Sequence, residues 1–174
     1  MKFEDVLIFA IQAHSGQFRV TREQYIIHPI RVSELIKNWL YNHKDVDFIR
    51  ACALMHDLIE DSWVTKQIIT EKFGKNVAEI IDALSLNKSL PVKERNEEYE
   101  KKLMNAHDYV KLIKLADIWD NVHDSPSGKD WTNFRNEALE ILKKIEVKDE
   151  SLVLIFNEKK KVLMKKIKEL LGKN

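Results

Sequence analysis

Six residues of this chain have the types and spacing for metal-assisted hydrolysis: His28, His56, Asp57, Glu60, Asp61 and Asp117. Four of them lie in one stretch, Ala51-Cys-Ala-Leu-Met-His-Asp-Leu-Ile-Glu-Asp61, whose other residues are apolar. At about 100° per residue on a helical wheel, His56, Asp57, Glu60 and Asp61 share one arc of about 140°. Burying three carboxylates and an imidazole side by side is costly unless something compensates them. A divalent cation with its water does so, and no Lys or Arg follows Arg50 within the stretch.

Imidazole and carboxylate ligands suit Mn²⁺, Fe²⁺ or Zn²⁺, and the lack of an available thiolate argues against a structural zinc site. His56 and Asp57, about 100° apart, can clasp one ion from two sides. His28 and Asp117 would then have to reach it from neighbouring helices. Glu60 and Asp61 continue the face of His56, where carboxylates can accept, orient and return protons.

Asp117 and Asn121 are one helical turn apart and share a face, with Lys114 on the adjoining turn and Asp124 close to it. Asp120 stands about 60° off that face and is expected to be solvated. Arg19 and Arg22, in an irregular segment before His28, are candidate phosphate or base contacts, because a guanidinium can both fork and stack. His14, on an apolar helix face, reads as a hydrogen-bonded core residue. His43 and His107 sit in polar connections and need no function. Trp39, Trp63, Trp119 and Trp131 read as core or pocket-wall residues.

Helices are the elements expected to position these groups. A chain of 174 residues with four Gly and three Pro has little punctuation for hairpins, which favours an all-α fold in one domain. Apolar residues make up 44% and charged residues 33%, a globular composition. The net charge of +1 argues against a large nucleic-acid-binding face. The single Cys52 has no intrachain partner and reads as a small buried hydrophobe in a reducing compartment. No apolar run approaches membrane-spanning length, and Met1-Lys-Phe-Glu-Asp lacks the pattern of a secretory signal. A cytoplasmic protein with no membrane partner is expected; the oligomeric state is open.

Apolar spacing predicts a helix over residues 3 to 14, closed by Ser15-Gly16, and a second opened by His28-Pro29. Asp47 is the expected cap of the helix carrying His56. Thr65 caps residues 66 to 73, and Gly74 stops them. A short helix over 77 to 86 leads to a mobile loop over 85 to 95, and a charged, solvated helix spans 93 to 105. Residues 108 to 123 form the second helix with chemistry, and Ser125-Pro-Ser-Gly-Lys129 reads as a loop. Two last helices cover 131 to 145 and 151 to 171, the second Lys-rich with a solvated outer face.

The ordered set His28…His56-Asp57…Asp117 resembles the HD-domain metal-dependent phosphohydrolases. More narrowly, the chain is similar to the hydrolase domain of RelA/SpoT-type enzymes and their small stand-alone relatives, which remove pyrophosphate from the 3′ position of (p)ppGpp. The likeness runs through Ala13-His-Ser-Gly-Gln-Phe-Arg19, Tyr25-Ile-Ile-His-Pro29, Ala53-Leu-Met-His-Asp-Leu-Ile-Glu-Asp61, Phe73-Gly-Lys-Asn-Val-Ala78 and Lys114-Leu-Ala-Asp-Ile-Trp-Asp-Asn121, with Trp131 and Arg135 beyond. It covers about residues 6 to 145, leaving a C-terminal helix over 150 to 171.

The resemblance implies a single helical HD-domain bundle over 1 to 174, with His28, His56, Asp57 and Asp117 as ligands of a divalent metal, usually Mn²⁺. It implies Glu60 and Asp61 as catalytic acids. Arg19, Asn121 and Lys114 are the expected contacts to a small nucleotide substrate. Three positions depart from the family pattern: a lysine is replaced by Val20, a basic residue after the metal aspartate by Ile118, and an arginine by His123. All three are expected to remove positive charge from the phosphate and base pocket. The expected activity is therefore (p)ppGpp 3′-pyrophosphohydrolysis, or hydrolysis of another nucleotide or dinucleotide phosphate. A metal- or nucleotide-binding module without turnover is the remaining alternative. With no room after residue 145 for a synthetase or regulatory domain, hydrolysis alone is expected.

Overall fold

The computed structural model describes residues 1–125 and 131–172. Among the described residues the regular structure is helical: α1 (Phe3–Ala13), α2 (Ile27–Trp39), α3 (Val46–Leu54), α4 (Leu58–Asp61), α5 (Lys66–Phe73), α6 (Lys75–Leu84), α7 (Val92–Met104), α8 (Asp108–Asp124), α9 (Thr132–Lys144) and α10 (Glu150–Leu171). The only extended pairing among them is one antiparallel bridge between Phe18 and Gln24. The all-α expectation is met. No helix among the described residues is long and apolar enough to cross a membrane.

Helices α2, α3 and α8 form the centre, each packed on the other two. Their inward stripes, Val32 and Ile36, Ile49 and Leu54, Leu112, Ile113 and Leu115, are completely buried. Burying each such side chain contributes about 1.5–3 kcal/mol. Helices α9 and α10 also pack on α8, and all ten helices contribute to one apolar cluster. Cys52 lies in it, fully buried, and burial pushes its thiol up to about 12.

Several caps follow expectation. Thr65 Oγ1 accepts from Ile68 N at 3.3 Å. Gly74 closes α5 at φ 93°, a conformation that costs glycine little. Asp47, however, does not cap α3: it lies in the first turn after Asp45, where its charge still suits the helix N-terminus. Asp45 instead accepts from Tyr109 Oη at 2.7 Å. The loop expected over 85 to 95 ends at Pro91, whose fixed φ suits entry into α7. Of the expected loop 125 to 129, residues 126–129 lie outside the described residues.

The largest departure concerns the central stretch. Residues 51–61 are two helices, α3 and α4, separated by a turn at Met55-His56-Asp57. Met55 (φ −103°, ψ 2°) and Asp57 (φ −97°, ψ −1°) occupy the bridge region, and Met55 N and Leu58 N bond three residues back at 3.0 Å each. The His56 ring caps this turn, with Nδ1 2.7 Å from the Ala53 carbonyl. Breaking the helix frees His56 and Asp57 from a fixed separation around one axis, so both side chains can face one point.

Candidate metal centre and adjoining pocket

Four side chains meet where α2, the 55–57 turn and α8 come together. Pro29 in the first turn of α2 puts His28 at the mouth of that helix, and α8 presents Asp117 opposite it. Ligand atoms of His28, His56 and Asp117 all lie within 4.8 Å of one another, and these three residues are buried. Asp117 Oδ1 is 3.2 Å from His28 Nε2 and 3.7 Å from His56 Nε2. Asp57 flanks the trio, Oδ1 3.2 Å from His56 Nε2 and Oδ2 3.7 Å from His28 Nε2.

The protons on the imidazoles are set from behind. The Ala53 carbonyl faces His56 Nδ1 and the Asp120 carboxylate faces His28 Nδ1, each at 2.7 Å. Both partners only accept, so each Nδ1 carries hydrogen and each neutral Nε2 presents a lone pair. Those lone pairs aim at carboxylate oxygens, and buried His56 Nε2 has no hydrogen-bond partner. Lone pairs facing lone pairs in a buried site require a cation between them or a proton on the rings.

The electrostatics carry the same signature. Burial alone would lower both histidines; the contacts of His28 with Asp117 and Asp120 raise it above 6.5, and Asp57 and Asp117 hold His56 well above it. Burial works against ionisation of Asp57 and Asp117 too. It is overcome by His56 and His28 at Asp57, and by Lys114 with both histidines at Asp117, so both carboxylates stay below the usual range. With three or four N and O donors and no sulfur, the set fits a divalent ion such as Mn²⁺, Fe²⁺ or Zn²⁺.

Beside this centre opens a cavity of about 370 Å³, whose lining includes His28, His56, Asp57, Glu60, Asp117 and Asn121. Phe18, Arg19, Val20, Tyr99, Lys114 and Trp131 also line it. Arg19 Nη2 donates to Asn121 Oδ1 at 2.8 Å, and its Nε pairs with Asp124 at 3.2 Å. Asn121 Nδ2 in turn donates to Asp117 Oδ1 at 2.6 Å. Lys114 Nζ donates to Asp117 Oδ2 at 2.9 Å and lies over the Tyr99 ring at 5.4 Å. The three expected substrate contacts thus border one pocket with the four expected metal ligands.

The two expected acids differ in setting. Glu60 lines the cavity and accepts from Leu86 N at 3.0 Å. Burial raises its pKa; the Leu86 N–H opposes the shift, and Asp61 and Asp57 add to it. Asp61 stands behind, held by Lys88, by the Tyr25 hydroxyl at 2.9 Å, and by Gln17 Nε2 on its carbonyl at 2.6 Å.

Other expectations need correction. Asp120 is buried, because α8 packs its off-face side against α2 and His28. Arg22 is exposed in a left-handed turn (φ 66°) and does not line the cavity. Of the three positions expected to strip charge from the pocket, only Val20 lines it. Ile118, about 100° round the helix from Asp117, is in the core. His123 is exposed and stacks on Trp119 at 5.0 Å. Trp63 is 59% exposed and is no pocket wall. His14 is the core histidine expected, stacked on Tyr25 at 4.8 Å with Nδ1 2.7 Å from Gln17 Oε1.

Tyr25, Asp120, Arg31 and Lys88 were not foreseen as site residues. Arg31 Nε and Nη2 both reach the Asp120 carboxylate, at 2.7 and 3.1 Å. The available signal was spacing: Arg31 lies one turn after His28, and Asp120 one turn after Asp117.

Comparison with known proteins adds an independent line. Residues 7–146 match the sequence model of the family described as HD domain. A guanosine-3′,5′-bis(diphosphate) 3′-pyrophosphohydrolase of Haemophilus influenzae is 38% identical over 121 residues, 66% of this chain and 17% of that protein. The Vibrio cholerae protein of the same name is 36% identical over 121 residues, with the same coverage of each chain. A GTP pyrophosphokinase of Myxococcus xanthus is 30% identical over 145 residues, 77% of this chain and 19% of that one. The chain therefore spans less than a fifth of the length of these curated relatives. A solved structure described as a metazoan ortholog of SpoT that hydrolyzes ppGpp has a TM-score of 0.76 at 24% identity, covering 92% of this chain and 94% of that one. That likeness concerns the fold.

Proposed function

The chain belongs to the HD-domain family, and we propose that it is a divalent-metal-dependent hydrolase of nucleotide pyrophosphate esters, with (p)ppGpp as substrate and release of its 3′ pyrophosphate. The observation that carries this reading is the pair of buried Nε2 lone pairs aimed at the Asp57 and Asp117 carboxylates. The names of the relatives supply the substrate.

His28, His56, Asp57 and Asp117 would hold the metal, Mn²⁺ in this reading. Such an ion, when bound, supplies Lewis acidity toward a phosphoryl oxygen and makes water a better nucleophile. The chain's own groups do the rest. Glu60, lining the cavity with a raised pKa, takes the proton from the attacking water and returns that same proton to the leaving oxygen, while Asp61, through Lys88 and Tyr25, holds the groups around it in place. Tyr25 keeps Asp57 and Asp61 at a fixed separation. Arg19 and Lys114 face the cavity with hydrogens left over from their internal bonds, and those hydrogens bind phosphate or base. Asn121 holds Arg19 in register with Asp117. Trp131 and Phe18 offer apolar surface to a base.

One observation favours a second reading, another nucleotide or dinucleotide phosphate as substrate. Val20, 86% exposed, lines the cavity where the resemblance leads one to expect a lysine, so one phosphate-binding cation is missing. Both readings are tested by assaying the purified chain with Mn²⁺ on a nucleotide panel that includes ppGpp. Release of pyrophosphate from ppGpp with the highest kcat/KM supports the first. A better substrate elsewhere in the panel supports the second. Equal inactivity of wild type and His56→Ala/Asp57→Ala on every member rejects the enzyme.

A further inference from the structure

We infer that Asp120 is a positioning residue that selects the metal-competent tautomer of His28; the inference rests on the metal site proposed above. His28 and Asp120 are both buried, with Nδ1 and Oδ2 2.7 Å apart. Arg31 locks the same carboxylate from the other side, Nε to Oδ1 at 2.7 Å and Nη2 to Oδ2 at 3.1 Å. Arg31 is itself held by Glu23 at 2.6 Å and Asp124 at 3.1 Å, so the carboxylate cannot turn away. A carboxylate has no hydrogen to give, so in the neutral ring, the form that can bind a metal, the His28 proton must sit on Nδ1. Nε2 is then bare and points at Asp117 Oδ1, 3.2 Å away. Carboxylates behind metal-bound imidazoles act in this way, setting both the tautomer and the ring plane.

The two imidazoles of the centre differ in one respect. His56 is oriented by the Ala53 carbonyl, which no side-chain substitution removes. His28 is oriented by a side chain, and that makes its tautomer accessible to mutation. In Asp120→Asn the shorter bond from Arg31 Nε, 2.7 Å, keeps the amide oxygen at the Oδ1 position, and the longer one from Nη2 to Oδ2, 3.1 Å, is given up. The amide NH₂ then faces His28 Nδ1, donates to it, and drives the imidazole hydrogen onto Nε2, where it blocks the ligand lone pair. In Asp120→Ala neither tautomer is favoured. Packing alone predicts the opposite order, because Asn is isosteric with Asp and Ala leaves a gap.

The test is Mn²⁺ titration by calorimetry into the chelator-stripped chain of residues 1–174. The variants are wild type, Asp120→Asn, Asp120→Ala, His28→Ala and Glu23→Gln. The last removes one partner of Arg31 without touching His28. Asp120→Asn should bind Mn²⁺ about 10–100-fold more weakly than wild type and more weakly than Asp120→Ala, while Glu23→Gln stays within about threefold. Long-range ¹H–¹⁵N spectra of the metal-free rings, above their titration range, should show His28 as Nδ1–H in wild type and Nε2–H in Asp120→Asn. The His28 signal is identified by its loss in His28→Ala. Asp120→Asn that binds as wild type, or binds better than Asp120→Ala, overturns the inference, as does an unchanged tautomer. If wild type takes up no Mn²⁺, or His28→Ala binds it equally well, the metal site falls first and this inference with it. Far-UV circular dichroism and melting curves on each variant separate loss of fold from loss of the ligand.

Discussion

The Tyr25 hydroxyl lies 2.7 Å from Oδ2 of Asp57, a carboxylate whose other oxygen faces His56. The same hydroxyl is 2.9 Å from Asp61 Oδ2. A phenol has one hydrogen, so two carboxylates share it, and burial and both negative neighbours raise the Tyr25 pKa far above its usual value. Asp57 and Asp61 are thereby spaced by a group that stays protonated throughout the working pH range. Tyr25→Phe keeps the ring stacked on His14 and deletes only that spacer. Its kcat should fall about 10–100-fold, with about 1 kcal/mol lost in chemical denaturation. Steady-state rates and urea melts check both.

Glu60→Gln isolates the proton-transfer role. It preserves an acceptor for Leu86 N and removes the charge. kcat should drop about 10²–10⁴-fold while Mn²⁺ affinity by calorimetry stays the same. Because the Glu60 pKa is raised, mainly by burial, a base that must be ionised loses activity as pH falls through that raised value. The acid limb of the pH–rate profile should therefore lie above 4.5 in wild type and vanish in the residual activity of Glu60→Gln.

Metal-free stability should depend on pH with a definite sign. His28 and His56 have raised pKa values in the fold, so the stability they add is fully present below about pH 6.5 and is lost as pH rises through the raised values. Asp57 and Asp117 are lowered, so theirs is present above about pH 3.8 and is lost only in strong acid. The melting temperature of the chelated protein should fall from pH 6.5 upward. Mn²⁺ should reverse that fall, replacing the ring protons and releasing them to solvent. Differential scanning calorimetry with and without chelator measures the effect.

Arg19→Ala should act on substrate more than on chemistry. The guanidinium reaches the pocket while bonded to Asn121 and Asp124. KM should rise about 10–100-fold, the loss of one charge-assisted hydrogen bond, with Mn²⁺ affinity unchanged. Initial rates over a range of substrate concentrations give the split between KM and kcat.

Much of this molecule was legible in the chain because helix periodicity and punctuation are local signals. The bounds of α1, α5 and α8 follow from apolar spacing, Thr65 and Gly74. The same local logic misplaced His56 and Asp57 on a continuous helix, since nothing in the apolar run announces that the His56 ring will cap a turn against Ala53. Asp120 was misread for the complementary reason. A wheel gives its angle from Asp117, and only the packing of α8 on α2 shows that His28 and Arg31 occupy that direction. Ile118 and His123 were misread likewise, as pocket positions, although they point into the core and out to solvent. Residue type revealed the chemistry; the long-range partners that set tautomers and charge came from tertiary contacts.

In the function proposed above, one divalent ion held by His28, His56, Asp57 and Asp117 is what turns this pocket into a hydrolase. It is tested most directly by adding Mn²⁺ stepwise to chelator-stripped protein while following pyrophosphate release from ppGpp and bound metal together. Activity should rise in proportion to occupancy, saturate at about one ion per chain, and be absent from His56→Ala and Asp117→Ala, which should take up no tightly bound ion. Full turnover by the stripped chain, or wild-type metal binding by those two variants, would contradict it.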